Sequence, residues 1–184
     1  MTVGSDGWLD AARRVPSPNF DARPGRTAVE LVVIHNISLP PGVYGGGHVA
    51  RLFTNALDPD ADPYFAQISA ARVSAHLLIE RAGTTTQFVS FADRAWHAGA
   101  SAFEGRTGCN DFSIGIEIEG TDFESFTDAQ YAALNSALDA LLLAYPITAL
   151  RGHSDIAHDR KTDPGPFFDW RRIAIPSSVS VPSA

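Results

Sequence analysis

The chain has 184 residues, of which 45% are hydrophobic and 19% are charged, and this balance is typical of a globular protein rather than a disordered one. Its length suits one domain, residues 1–184, with a core that needs no disulfide bonds, and the single cysteine, Cys109, excludes an intrachain disulfide. The formal net charge of -7 and the lack of a run of Lys or Arg argue against nucleic acid as a partner.

The N-terminal region predicts neither export nor membrane insertion. Residues 1–7 have no basic n-region and no apolar h-region. No apolar stretch approaches the roughly 18–20 residues that span a bilayer. We therefore expect a cytoplasmic protein that makes no contact with a membrane. Residues 1–28 are rich in Pro, Arg, Asp and Gly and are predicted to form an irregular lead-in.

The first half of the chain predicts three strands and one short helix. Residues 31–34 are an apolar run rich in β-branched side chains, which predicts a strand that ends at His35. The Pro- and Gly-rich residues 38–48 predict a long loop beside it, and 48–55 a short helix. Residues 73–80 and 85–91 predict two strands joined as a hairpin.

The second half predicts one strand and one long helix. In residues 113–119, isoleucines alternate with small residues and carboxylates, which predicts a strand with one buried face and a second face that carries Gly115 and Glu117. Thr127 and Gln130 have the spacing of a capping box, and apolar residues then recur at helical spacing until Pro146. Residues 175–184 predict a frayed tail. Strands and helices are mixed, so the fold class is α/β or α+β with a mixed sheet.

The segment 152–166 is the richest in chemistry, because its fifteen residues include two histidines, three aspartates and a lysine. Its polarity and its Pro-Gly-Pro end predict a loop. A hydrolytic zinc site needs three protein ligands and an open position, and imidazole and carboxylate both suit it. The best local pair is His153 with Asp163, and His35 could complete the set from its strand end. The residues that compete for these positions are His158, Asp155 and Asp159.

Three further side chains are candidates for catalysis. Glu117 lies beside Gly115 on one strand face, where a glycine leaves room for a ligand or an approaching backbone, and its carboxylate is a candidate general base. Lys161 is a candidate to stabilise an oxyanion, although an ordinary surface lysine is the simpler interpretation. Cys109 is a candidate nucleophile, but a lone cysteine is more often a small buried hydrophobic residue.

Taken together, these segments resemble the AmpD-type N-acetylmuramoyl-L-alanine amidases. The resemblance is carried, in order, by segments that run from about residue 7 to 173, namely 16–21, 33–42, 72–76, 94–99, 109–117, 152–153 and 160–166. It implies the fold of phage amidases and peptidoglycan recognition proteins, a central mixed sheet flanked by helices.

The resemblance also implies a function and a set of residue roles. It implies one Zn²⁺ held by His35, His153 and Asp163, with Glu117 as the catalytic acid/base and Lys161 as the partner of the oxyanion. It implies substrate contacts from a further group of residues, Asn36, Arg72, Trp96, His97 and Arg106. The implied reaction is hydrolysis of the amide between the lactyl group of (1,6-anhydro-)N-acetylmuramic acid and L-alanine, for cell-wall recycling. The expected partner is an anhydromuropeptide, and the expected state is a monomer.

Two alternatives stand beside this interpretation. One is a muropeptide-binding module without catalysis, which would have no need of all five ligand and catalytic residues. The other is a hydrolase that depends on Cys109, which chelators would not affect and alkylation would inactivate.

Overall fold

The computed structural model describes residues 1–25 and 27–182, and it contains a mixture of short strands and helices. The strands are β1 Arg13–Arg14, β2 Phe20–Ala22, β3 Leu31–Ile37, β4 Leu77–Ile79, β5 Thr85–Gln87, β6 Asp93–Ala95, β7 Ala102–Phe103, β8 Arg106–Thr107, β9 Ser113–Glu119 and β10 Ala149–Gly152. The α-helices are α1 His48–Phe53, α2 Pro63–Ile68, α3 Asp128–Ala144 and α4 His153–Ile156, and 3-10 turns cover Cys109–Asp111 and Trp170–Arg172.

A mixed sheet of six strands lies at the centre, in the order β1-β5-β4-β9-β3-β10. Four adjacent strands of this sheet, β4, β9, β3 and β10, run parallel to one another. Strands β4 and β5 are antiparallel and form the predicted hairpin. The predicted mixed sheet is therefore confirmed. Two-stranded pairs, β2 with β6 and β7 with β8, lie outside it.

One face of the sheet packs against α3. Thr127 accepts a hydrogen bond from the Gln130 backbone, and the Gln130 side chain accepts one from the Thr127 backbone, so the predicted capping box is present. The predicted apolar stripe of α3, from Tyr131 to Leu141, packs on isoleucines of β9. This face carries the larger apolar core of the described residues.

The other face of the sheet is covered by α1, α2 and the connection from β6 to β9. All seven residues of β9 are buried, so the prediction of a single buried face for this strand was wrong. The reason is that β9 is central in the sheet, with β3 and β4 on its two sides. The polar face that carries Gly115 and Glu117 is therefore covered by neighbouring groups and is not an exposed surface.

The lead-in and the tail are more ordered than predicted. In the lead-in, β1 extends the sheet beside β5, β2 pairs with β6, and Leu9 is completely buried. In the tail, Ser180 exchanges backbone hydrogen bonds with Thr148 and Leu150 at 2.9 and 2.8 Å, which satisfies the free edge of β10. Backbone pairing to distant segments thus fixes both ends. Arg26 and residues 183–184, which belong to the predicted lead-in and tail, lie outside the described residues.

Three further differences concern local structure. The predicted loop at 152–166 begins with one helical turn, α4, in which Asp155 accepts a hydrogen bond from the Gly152 backbone at 2.7 Å. Strand β3 is two residues longer than predicted, and β4 and β5 are shorter. Among the described residues, no helix is long and apolar enough to cross a membrane.

Candidate active site

The pairing of β3 with β9 places two of the candidate residues side by side. In this parallel ladder His35 lies directly opposite Glu117, and Val33 lies opposite Gly115. Residues directly opposite each other in a sheet point to the same face, so the imidazole and the carboxylate project together. Both side chains are buried, with 2% and 9% exposure.

The next strand brings His153 to the same place. Gly152, the last residue of β10, pairs with Ile34, so that His153 follows directly beside His35. The carboxyl ends of parallel strands are where open sheets commonly bind ligands. A Cβ on Gly152 would lie 2.7 Å from Pro164 Cδ, so the glycine permits the segment after α4 to return closely. That return delivers Asp163, whose carbonyl accepts a hydrogen bond from the Ser154 backbone at 2.9 Å.

Three donor atoms converge at this point. His35 Nδ1 lies 3.0 Å from His153 Nδ1 and 3.0 Å from Asp163 Oδ2, and His153 Nδ1 lies 3.1 Å from the same oxygen. Two imidazole nitrogens and a carboxylate oxygen that face one another in a buried place are a donor set that suits a divalent metal. The three residues are thus positioned to hold a metal ion.

The competing residues lie elsewhere. Asp155 is used by the cap of α4, and His158 and Asp159 are exposed beyond it. Among the described residues, the group that could hold a metal consists of His35, His153 and Asp163.

The outer nitrogens of the two histidines are also engaged. His153 Nε2 lies 3.1 Å from the carbonyl oxygen of Ala98, which only accepts, so this nitrogen carries a proton and Nδ1 is free to bind a metal. His35 Nε2 lies 3.0 Å from Nδ1 of His97. Both candidate ligands are therefore oriented by the short connection that contains His97 and Ala98.

Burial and charge change the acidity of these groups. Burial raises the pKa of Asp163, but its hydrogen-bonding contacts with His153 and His35 outweigh this and hold its pKa well below the usual range. Burial lowers the pKa of His35, against the opposing effect of Asp163. The lowered pKa values favour a neutral imidazole at His35 and an ionised carboxylate at Asp163, which are the protonation states that a metal requires of such ligands.

Glu117 is a buried carboxyl group beside the three candidate metal ligands. Its Oε2 is buried and has no hydrogen-bond partner among the described residues. Burial, and after it the negative charge of Asp163, raise the pKa of Glu117 well above its ordinary value, while Lys161 lowers it. A carboxyl group that is poised to hold and release a proton beside a metal-ligand cluster is suited to general acid/base chemistry.

The cluster lies at the floor of a cleft of about 640 Å³. Predicted substrate residues Asn36, Trp96 and His97 line this cleft, and so does Lys161, which is exposed. Arg72 lies in a smaller adjoining cleft, together with Trp96, His97 and Lys161. Four of the five predicted substrate contacts are thus brought to one region.

Arg106 is the exception. Its guanidinium donates to Glu30 Oε2 at 2.6 Å and lies 3.8 Å from the centre of the Phe112 ring. It does not line either of the two clefts. The structure therefore does not bring Arg106 to the predicted site, because β8 turns it towards the start of β3.

Cys109 does not have the surroundings of a nucleophile. It is fully buried in a small apolar cluster with Val33 and Phe112, and burial raises the pKa of its thiol. It does not line the clefts either. A reactive cysteine needs a lowered pKa and exposure, so the interpretation as a buried hydrophobic residue holds.

Some cleft residues were missed by sequence reasoning. Asp122 accepts a hydrogen bond from Asn36 at 2.6 Å, and the neighbouring Phe123 lines the cleft while 85% exposed. Tyr64 and Ile68 of α2 form part of another wall. A signal for α2 exists in the sequence, since an aspartate N-cap precedes a proline at the first helical position. Nothing in the sequence of 121–123 distinguishes that segment from an ordinary turn.

Comparison with known proteins defines the class of protein. The N-acetylmuramoyl-L-alanine amidase family matches residues 25–166, and the chain belongs to this family. The chain is 56% identical over 178 residues to the 1,6-anhydro-N-acetylmuramyl-L-alanine amidase AmpD of Citrobacter freundii, with 94% of this chain and 95% of that protein covered. The predictions of an amidase and of an AmpD-type sequence are therefore confirmed.

Solved structures agree with this assignment. A crystal structure of an Se-Met AmpD derivative superimposes with a TM-score of 0.92 at 54% identity, and covers 98% of this chain and 100% of that chain. The Escherichia coli amidase AmiD, solved with the substrate anhydro-N-acetylmuramic acid-L-Ala-D-gamma-Glu-L-Lys, gives a TM-score of 0.60 at 29% identity, with 93% of this chain and 63% of that chain covered. The likeness to the Drosophila peptidoglycan recognition protein SA, with a TM-score of 0.53 at 19% identity over 79% of this chain and 76% of that one, concerns the fold alone and confirms the predicted fold class.

Proposed function

We propose that this amidase uses one zinc ion to hydrolyse the amide bond between the lactyl group of 1,6-anhydro-N-acetylmuramic acid and L-alanine in peptidoglycan fragments. The observation that carries the proposal is the convergence of His35, His153 and Asp163 beside the unpartnered carboxyl of Glu117. The substrate class is supported by the similarity to AmpD of Citrobacter freundii and by the muropeptide bound to AmiD. We further propose that it acts as a cytoplasmic monomer in cell-wall recycling.

The metal requirement rests on the donor set. His35 Nδ1 lies 3.0 Å both from His153 Nδ1 and from Asp163 Oδ2. The lone pairs of these atoms repel one another unless a proton or a cation lies among them. Zinc prefers such nitrogen and oxygen ligands, with a further position left open in hydrolytic sites. A zinc ion held there supplies Lewis-acid activation of water and of the amide carbonyl.

Glu117 then moves the protons of the reaction. Its carboxylate takes a proton from the attacking water and returns it to the leaving nitrogen of L-alanine. Its raised pKa suits both steps, because it makes the carboxylate a stronger base towards water than an ordinary glutamate and leaves an acid that can then protonate the leaving nitrogen. Lys161, at the edge of the same cleft, places a positive charge where the carbonyl oxygen becomes negative.

The cleft matches the two halves of the proposed substrate. Trp96 and Tyr64 offer aromatic surface for a sugar ring, and Asn36 offers hydrogen-bonding groups beside them. Arg72 and Lys161 place positive charge in the adjoining cleft, where the carboxylates of a peptide stem would be attracted. Because Arg106 lies outside both clefts, it is not assigned a substrate contact in this proposal.

Mass-spectrometric product analysis tests the proposal. The protein is incubated with an anhydromuropeptide and, separately, with the matched peptide on an N-acetylmuramic acid that lacks the 1,6-anhydro ring. We expect release of the free L-Ala peptide and anhydro sugar, faster than from the matched compound, and no release by a Glu117→Gln control. Cleavage of a different bond, or equal rates on both sugars, would contradict the proposed substrate.

A further inference from the structure

His97 is bound to the outer side of the candidate metal ligand His35. Its Nδ1 lies 3.0 Å from His35 Nε2, and the two rings meet edge to face at an interplanar angle of 84°. The inner nitrogen of His35, Nδ1, faces His153 and Asp163. The imidazole ring of His35 therefore connects the metal-ligand cluster to His97.

The carbonyl oxygen of Cys109 determines which histidine donates the hydrogen bond between His35 and His97. Ser113 Oγ donates to the Cys109 carbonyl at 2.6 Å, and a carbonyl can only accept. The hydroxyl proton of Ser113 is thereby used, so its oxygen accepts from His97 Nε2, which lies 3.1 Å away. A neutral His97 that donates through Nε2 must accept through Nδ1, and His35 Nε2 must donate to it. His35 Nδ1 is then left with its lone pair directed at the cluster.

The position of the His97 ring is built into the sheet and the adjoining loop. A Cβ at position 115 would lie 2.5 Å from His97 Nδ1, so Gly115 provides the space that the ring occupies. The side-chain oxygen of Asn110 accepts from the backbone N–H groups of His97 and Ala98, at 3.1 and 2.8 Å. The ring is thus held from the strand side and from the backbone side.

We propose that His97 is a positioning residue for the metal site, which accepts a hydrogen bond from His35 Nε2 and so fixes the tautomer in which His35 Nδ1 binds the metal. The inference rests on the proposed zinc site. It assigns to Gly115 and Ser113 the further roles of making room for His97 and of fixing its tautomer. Partners of this kind orient metal-ligating histidines and commonly raise metal affinity by about 10- to 100-fold.

Zinc affinity provides the first test. The metal-free wild-type protein and its variants compete for zinc with a chromophoric chelator, which measures binding without any turnover. We expect His97→Phe, which keeps a ring but cannot accept, to weaken zinc binding by about 10- to 100-fold. We expect His97→Gln, whose amide oxygen can accept, to recover most of this loss, and the control His48→Gln, outside the site, to match the wild type.

The outcomes separate the two proposals. Wild-type protein that takes up no zinc would contradict the proposed function. Wild-type affinity in a folded His97→Phe variant, or equal losses in the Phe and Gln variants, would overturn the role of His97 while leaving the zinc site intact.

A second measurement needs no variant. In zinc-loaded wild-type protein labelled with ¹⁵N at histidine, NMR detects the scalar coupling between two nitrogens that share a hydrogen-bonded proton. We expect a proton on His35 Nε2 with a coupling to His97 Nδ1. A proton found on His97 Nδ1, or a His35 Nε2 without one, would overturn the inference.

Discussion

Replacing Glu117 by Gln separates what this residue contributes to stability from what it contributes to catalysis. The change keeps the shape of the side chain but removes its ionisation. The raised pKa of Glu117 means that the folded, metal-free chain keeps a proton that the unfolded chain loses at about pH 4.3. Between that pH and the raised pKa, the unfolded chain binds fewer protons, so this carboxyl makes the folded state less stable as the pH rises.

The magnitude follows from a single proton. The contribution of Glu117 to the free energy of unfolding falls by at most about 1.4 kcal/mol for each pH unit between about pH 4.3 and its raised pKa. Asp163 acts with the opposite sign and in another range: its pKa is lowered, so its stabilisation is present above about pH 3.9 and is lost as the pH falls. Above about pH 4.3 the difference between wild type and Glu117→Gln therefore reports Glu117 itself.

Urea unfolding of the chelator-treated proteins, followed by circular dichroism from pH 4 to 8, measures this difference. We expect Glu117→Gln to become progressively more stable than the wild type as the pH rises, although its amidase rate falls by about 10²- to 10⁴-fold. Glu104→Gln, in an exposed turn, is the matched control for the loss of one carboxylate. A stability difference that does not change with pH, or one that increasingly favours the wild type, would show that Glu117 does not keep its proton in the folded, metal-free chain.

Three other substitutions test neighbouring parts of the site. Lys161→Met should lower kcat by about 10²- to 10³-fold, while the zinc content measured by atomic absorption stays at the wild-type level. An unchanged kcat would exclude a contact between Lys161 and the oxyanion. Gly115→Ala should force the His97 ring to move by about 1 Å to reach ordinary contact, which should lower the free energy of unfolding by about 1–3 kcal/mol and weaken zinc binding. Thermal melts measure the first effect and chelator competition the second, and an unchanged zinc affinity would show that the ring position does not matter. Arg106→Ala should leave kcat/KM at the wild-type value, because Glu30 and Phe112 hold its guanidinium outside the clefts; a large rise in KM would show that it reaches the substrate.

Local signals in the sequence were sufficient for the elements that depend on neighbouring residues. The capping box of Thr127 and Gln130 marks the start of α3, and alternation marks the bounds of β9. These signals act over a few residues, so they survive in the sequence whatever the rest of the chain does. Strand β10 has no such signal: its four residues form a strand because β3 and Ser180 satisfy its backbone on two sides.

In the candidate site, too, the sequence indicated residue types, whereas contacts between distant residues could not be predicted. The residue types in 152–166 indicated a metal site and favoured Asp163, but they left Asp155 and Asp159 as competitors until the resemblance to a family was considered. Gly115 was expected to leave room for a ligand or a backbone, whereas the space is filled by the ring of His97. That contact joins residues far apart in sequence, and only the packing of the β6–β9 connection onto the sheet determines it.

Titration of the metal-free protein with zinc, with amidase activity on an anhydromuropeptide as the readout, tests whether catalysis depends on a single zinc ion. We expect no activity after complete chelation, a linear return as zinc is added, and a plateau at one zinc per chain. The Asp163→Asn variant should show no such return at stoichiometric zinc. Activity that survives complete removal of the metal, or a plateau at more than one equivalent, would contradict a single zinc centre formed by His35, His153 and Asp163.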